Sequence, residues 1–340
     1  MTDTAPEKAF RLRNSGRVYI ASVLLGVCYG ILFRLATSES LAGHLNATMT
    51  LSFLGLGSLV IGVIAVYPLE RITRQPLWRW FVLPLLPIVV ACFISVLFRV
   101  EGLICMIFFL PGALICSVVG GVLGGVFARL LRVRKGTIVC VAVLPFLLAP
   151  IETVINPPVQ MREVNTQILI DAPASVVWRN IERVAPISRS EFADTWAQRI
   201  GFPRPIEATL SYEGIGGVRH ASFERGLMFI ETVNAWEPEK RLAFTIRADT
   251  EKIPATTLDE HVTIGGRYFD VLDGEYRLET LRDGKTRLYL RSRQRLSTDF
   301  NAYAGLWTDA VMRTLQNSIL GVIRARCENE ARMTGAAAAP

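Results

Sequence analysis

Residues 299–328 read DFNAYAGLWTDAVMRTLQNSILGVIRARCE, and their apolar members recur at helical spacing: Phe300, Tyr303, Ala304, Trp307, Val311, Leu315, Ile319 and Val322. The spacing predicts one long amphipathic helix with a wide apolar stripe and with Asp309, Arg313, Gln316, Asn317 and Arg324 kept mostly off it. Such a stripe needs a surface to cover it. The residues just before, 287–297, alternate instead. Leu288, Leu290 and Leu296 fall on one face and Arg287, Tyr289, Arg291, Arg293 and Arg295 on the other, the period of a half-buried antiparallel strand. An apolar sheet face with a long helix laid across it is the minimal architecture.

Working outward, a strand is expected over 164–170, with Thr166, Ile168 and Ile170 on one side. A helix follows, burying Val176, Val177 and Ile181, and a second helical or irregular piece covers 188–200. Further strands are expected over 206–212, 217–223, 227–236, 241–247 and 266–281, divided by Gly-rich turns and polar loops. A meander with its helices on one face is an α+β grip, not a doubly wound sheet.

The first half of the chain is of another kind. The whole is 51% hydrophobic, too apolar for a soluble protein of this size, and the excess lies before residue 156. Segments 18–36, 49–67, 81–98, 103–131 and 137–155 are each long enough to cross a hydrocarbon core of roughly 30 Å. The fifth is interrupted by Pro145 and Pro150, and Glu152 lies near its far end. Lys8, Arg11, Arg13 and Arg17, then Arg71, Arg74 and Arg79, then Arg129, Arg132, Arg134 and Lys135 mark the cytoplasmic side. Five spans from a cytoplasmic N-terminus place the rest outside the cytoplasm of a bacterial-type inner membrane; without the fifth span it returns to the cytosol. The expected organisation is a basic N-terminus (1–17), a transmembrane region (18–155), a Pro-stiffened linker (156–163), a folded domain (164–330) and a tail (331–340).

No Asp, Glu, Lys or His lies deep in these five segments, which argues against a pump or coupled transporter. Gly120, Gly121, Gly124 and Gly125, with Ser58 and Gly62, make small-residue pairs that permit close helix contact, either as a homodimer seam or within one chain. Five of the six cysteines lie in the spans, so no disulfide or metal framework is expected. The positive net charge sits largely in the cytoplasmic loops beside anionic lipid, so no nucleic-acid partner is inferred.

In the second half, four features in this order resemble the START-like, or SRPBCC, superfamily of polyketide cyclases and lipid-transfer domains. They are Leu169-Ile-Asp-Ala-Pro-Ala-Ser-Val-Val-Trp178; the series Gly214, Gly216, Arg219, Phe223, Gly226, Glu231; Trp236-Glu-Pro with Arg241-Leu-x-Phe244; and the closing helix. The resemblance covers about residues 164–330. It implies a curved antiparallel sheet wrapped on the terminal helix around an elongated apolar cavity. The membrane half has no counterpart in the soluble members, which favours a lipid or another membrane-derived ligand.

Candidate site residues follow. A three-residue loop at Glu224-Arg225-Gly226, with only Gly226 left-handed, places Arg219 opposite Glu231 as a polar anchor; a two-residue turn would place His220 there instead. An ordinary cross-strand ion pair is the plainer reading of Arg219 and Glu231. The polar stretch 248–265 is a candidate lid, with His261 as a candidate acid or base at the mouth or simply a solvated histidine. Tyr268 is a candidate mouth residue, and Tyr303 and Trp307 offer polar tips on the apolar stripe, with core packing as the alternative for each. No metal-ligand spacing, phosphate loop or dinucleotide fingerprint is present, so no cofactor is expected. The reading is binding, with possible transfer, of a lipid or isoprenoid; the rivals are a cyclase or dehydratase using His261 or Glu231 as base, and a membrane sensor or scaffold.

Overall fold

The computed structural model describes residues 5–37, 49–130, 135–249 and 264–337. The chain divides into two compact units, Met1–Pro157 and Pro158–Pro340.

The first unit is helical. Its elements are α1 (Ala5–Ala36), a π-helical turn (Ser52–Gly57) running into α2 (Ser58–Ile72), a short α3 (Arg79–Val82), α4 (Leu85–Leu97), α5 (Leu103–Leu130) and α6 (Lys135–Val154). Among the described residues, four segments are long and apolar enough to cross a membrane: Gly16–Ala36, Ser52–Ile72, Arg79–Leu97 and Leu103–Leu130. The expected fifth span is helical through both prolines, but its apolar stretch, Val139–Val154, is shorter than these four.

The small residues, read as either a homodimer seam or a contact within one chain, make contacts within the chain. A Cβ on Gly62 would fall onto the Ser117 carbonyl oxygen of α5, and one on Gly120 onto that of Leu59 in α2. Gly124 faces Val63, while Gly121 and Gly125 face Pro84 and Trp80. The missing side chains let α2 and α5 touch backbone to backbone. The apolar segments also end next to buried charge, because Glu70 and Glu101 lie just beyond the segments cut by hydropathy. Glu70, in the last turn of α2, accepts from Arg129 Nε at 2.8 Å, Trp80 Nε1 at 3.0 Å and the Gln75 N–H at 3.0 Å. Arg34 and Glu101 form a buried ion pair. Each charge is offset by a partner, as burial demands.

The second unit is a seven-stranded, wholly antiparallel sheet in the order β1-β7-β6-β5-β4-β3-β2. The strands are β1 (Gln160–Ile170), β2 (Pro205–Leu210), β3 (Val218–Phe223), β4 (Met228–Glu237), β5 (Arg241–Asp249), β6 (Phe269–Thr280) and β7 (Thr286–Leu296). Between β1 and β2 stand α7 (Ala174–Glu182) and the single turn α8 (Trp196–Arg199), all that is helical of the piece expected over 188–200. The chain closes with α9 (Asn301–Ala337), which packs on β1, α7 and β7. Irregularities at Val233/Ala235 in β4 and Val271/Asp273 in β6 add the local bend that curls a sheet around a helix. This is a helix-grip fold of the α+β class.

The core joins Ile170, Val177, Trp178 and Ile181 to Val233, Leu242, Phe244, Leu288 and Leu290, closed by Leu320, Ile323 and Cys327 of α9. Trp178 meets Trp236 edge to face at 5.1 Å. Arg326 of α9 clasps the 185–191 segment, donating to Glu191 Oε1 at 2.8 Å and to the carbonyls of Ala185 and Pro186, each at 2.9 Å. β1 begins at Gln160 rather than 164, shortening the expected linker, because residues 160–163 pair with Arg293–Leu296.

Candidate functional site

The site begins at the β3–β4 hairpin. The Phe223 N–H donates to the Leu227 carbonyl at 2.8 Å, and Arg219 stands opposite Glu231 with His220 opposite Ile230, the register of the three-residue loop. The conformational reason given for that loop is corrected, because Arg225 (φ 62°) is left-handed as well as Gly226 (φ 81°). A neighbouring segment holds it so: the Glu224 N–H donates to the Arg204 carbonyl at 2.8 Å and Arg225 Nη1 to the Gly201 carbonyl at 3.2 Å. Tertiary contacts outweigh the modest cost of one non-glycine residue at positive φ.

Arg219 and Glu231 are 3% and 6% exposed and form a direct ion pair. The Tyr276 phenol of β6 interacts electrostatically with the Arg219 guanidinium, which lies 5.5 Å from the Phe244 ring centroid. Burial pushes the Glu231 carboxyl above the usual carboxylate range against the pull of Arg219. It raises the Tyr276 phenol too. One donor is left over: Arg219 Nε is buried and has no hydrogen-bond partner among the described residues.

A second polar cluster joins β1 and β7 to the first half of α9. Arg162 Nε donates to Asp309 Oδ1 at 2.9 Å, and Gln294 Nε2 donates to the same oxygen at 3.0 Å. Gly305 makes room for it, since a Cβ there would stand 2.6 Å from the Arg162 guanidinium carbon. Thr166 Oγ1 donates to Gln316 Oε1 at 2.9 Å, and Gln316 Nε2 donates to Ser292 Oγ at 2.9 Å and to the Val164 carbonyl at 3.2 Å. Asp309 and Gln316, expected off the packed stripe, therefore face the sheet. The contact face of α9 runs 309, 316, 320, 323, 327, beside the stripe that apolar spacing alone selects.

The other predicted residues are placed as follows. Tyr303 and Trp307 are half-buried and meet nearly edge to face at 6.4 Å on the first turns of α9. The Tyr268 ring lies 5.8 Å from the Arg267 guanidinium, and its carbonyl accepts from the Ser297 N–H at 2.8 Å. His261 lies outside the described residues, as does most of the candidate lid. The outer arginines of β7 are paired with acidic neighbours: Arg287 with Glu279, Arg291 with Glu163 and Glu275, and Arg293 with Asp273. Sequence reasoning missed Tyr276, Arg162, Ser292, Gln294, Asp309 and Gln316. A signal existed in β7, where Ser292 and Gln294 share the parity of Leu288, Leu290 and Leu296 and so interrupt an apolar face with polar atoms.

No family model and no curated protein matches the sequence. Solved structures are similar to part of it. The Zhui aromatase/cyclase from Streptomyces sp. R1128 is 19% identical over 52% of this chain and 99% of its own, with a TM-score of 0.34. A START superfamily protein from Mycobacterium smegmatis is 11% identical over 49% of this chain and 97% of its own, with a TM-score of 0.32. DynU16, from the dynemicin biosynthetic locus, is 16% identical over 50% of this chain with a TM-score of 0.31; the match spans 48% of that protein's length.

Proposed function

We propose that this chain is a membrane-anchored protein that binds a hydrophobic small molecule, a lipid or isoprenoid, between its curled sheet and α9, with transfer between membrane and site as the consequence. The observation that carries the reading is the buried Arg219, whose Nε–H has no partner among the described residues. An orphaned buried donor costs about 1–3 kcal/mol, and an oxygen at the polar end of a ligand would recover that loss. Glu231 holds the guanidinium in place, while Val233 and Phe244 of the same face offer apolar cover for the rest of the molecule.

The anchor is the set of four long apolar helices. With α6 as a fifth span and the basic N-terminal side in the cytoplasm, the second unit faces away from the cytoplasm of a bacterial-type inner membrane. A reporter fused after Gly335 and active only in the cytosol would reverse that placement.

The binding test is mass spectrometry of small molecules that copurify with the full chain in detergent, compared with a double Arg219→Met, Glu231→Leu variant that leaves no unpaired charge. A defined apolar molecule bearing oxygen is expected in the first preparation and absent from the second. Its equal presence in both, or its absence from both, would overturn the reading.

A further inference from the structure

Arg219 is not the only incompletely bonded polar group inside the grip. Gln294 of β7 is fully buried, and its Oε1 has no hydrogen-bond partner among the described residues. The amide orientation is chemically determined: the neighbouring Asp309 Oδ1 is a carboxylate oxygen that accepts only, so the amide nitrogen must face it and the oxygen must face away. Among the described residues, Arg219 thus offers a spare donor and Gln294 a spare acceptor; Gln198 Nε2, Arg291 Nε and Asp270 Oδ1 are also buried without a hydrogen bond.

The strand register sets their separation. Arg219 of β3 pairs with Glu231 of β4, which pairs with Ile246 of β5. Ile246 is one residue past the last β5–β6 pair, Thr245 with Asp273, and Val271, just across the β6 irregularity, pairs with Gln294. The two groups thus stand at one level of the sheet, four strand spacings apart, about 19 Å measured along it at roughly 4.8 Å per strand. The curl of the sheet brings them closer than that. An extended small molecule spans such a gap.

Charge sets the chemical class. Arg219 is offset by Glu231 and Arg162 by Asp309, so each end is already electrically balanced. A carboxylate or amine would bring uncompensated charge into a buried site, which is far costlier than a neutral group. Resting on the binding function proposed above, we propose that the ligand is neutral and carries two polar groups: a carbonyl oxygen that accepts from Arg219 Nε, and a hydroxyl that donates to Gln294 Oε1. Gln294 is then a second ligand-binding residue, on the opposite flank of the sheet, held by Asp309 of α9.

The test uses the full chain in detergent and two neutral esters, methyl 12-hydroxydodecanoate and methyl dodecanoate, which differ only in the terminal hydroxyl. The hydroxy ester is expected to bind about tenfold more tightly, the worth of one buried hydrogen bond. In Gln294→Met the two esters should bind alike, at the affinity the wild type shows for methyl dodecanoate. Equal affinities in the wild type, or a preference that survives in Gln294→Met, would overturn the second anchor while leaving the binding function in place. Binding of neither ester would overturn the binding function beneath it. The wild-type comparison needs no variant, so it decides the question even if Gln294→Met does not fold.

Discussion

Replacing Arg219 with Met removes the only opposite charge paired with Glu231 among the described residues, within a side chain 6% exposed. The stranded carboxylate escapes by taking up a proton. With an ordinary carboxylate pKa of about 4.3 and about 1.36 kcal/mol per pKa unit, protonation at pH 7 costs about 3.7 kcal/mol, which is the upper bound on the electrostatic loss. That falls within the range of about 3–5 kcal/mol typical of a broken buried pair. The sign is definite. Glu231 in the variant titrates above its unfolded value, so stability is retained at low pH and lost as pH rises. Hydrogen exchange of β3 and β4 amides in the full chain reads this locally. Relative to wild type at the same pH, exchange should accelerate by up to about 500-fold at pH 7 and only about fivefold at pH 5. The double Arg219→Met, Glu231→Leu variant should recover most of the loss, since a buried pair replaced by apolar groups is often neutral. A loss unchanged between pH 7 and pH 5, or a double variant as labile as the single one, would refute the reasoning.

Two further outcomes follow from other contacts. Arg326, with the Ser188 N–H, holds the Glu191 carboxyl down to about 2; this clasp contributes stability above the ordinary carboxylate pKa of about 4.3 and loses it as pH falls toward 2. Limited proteolysis within 185–199 should therefore rise across that window in the wild type, and Arg326→Ala should be cut readily even at neutral pH. In the helical unit, Gly120→Ala should force α2 from α5, cost the roughly 1–3 kcal/mol of an overpacked contact, read as a lower thermal midpoint in detergent, and leave the particle mass unchanged. Gly321→Ala in α9, which meets nothing within 4 Å, is the control and should not destabilise, since Ala favours a helix interior over Gly; loss of a dimer in Gly120→Ala would point to a seam between copies instead.

The elements of the grip were readable because strand and helix impose different periods, two and 3.6, on the same hydrophobic alphabet. The run of strands and the closing helix came from that periodicity; turn length left Arg219 and His220 both open opposite Glu231, and the hairpin register decided for Arg219. Four of the expected spans recur as helices long and apolar enough to cross a membrane, and they were readable for a simpler reason: that property is one of length and apolarity alone. Periodicity reports which residues are apolar, however, and not which way a polar residue faces. Asp309 and Gln316 were therefore assigned to the wrong side of α9, although their hydrogen bonds to β1 and β7 seat the helix. Tyr276 was invisible beside Arg219 because 57 residues and two strands separate them, and only the curl of the sheet brings its phenol to the guanidinium. The glycines of α5 showed that two backbones meet, while only the packed helices decided that the partner is α2 of the same chain. Local pattern determined the elements and their order; the pairing of buried polar groups, which depends on contacts between residues distant in the chain, was decided by tertiary structure alone.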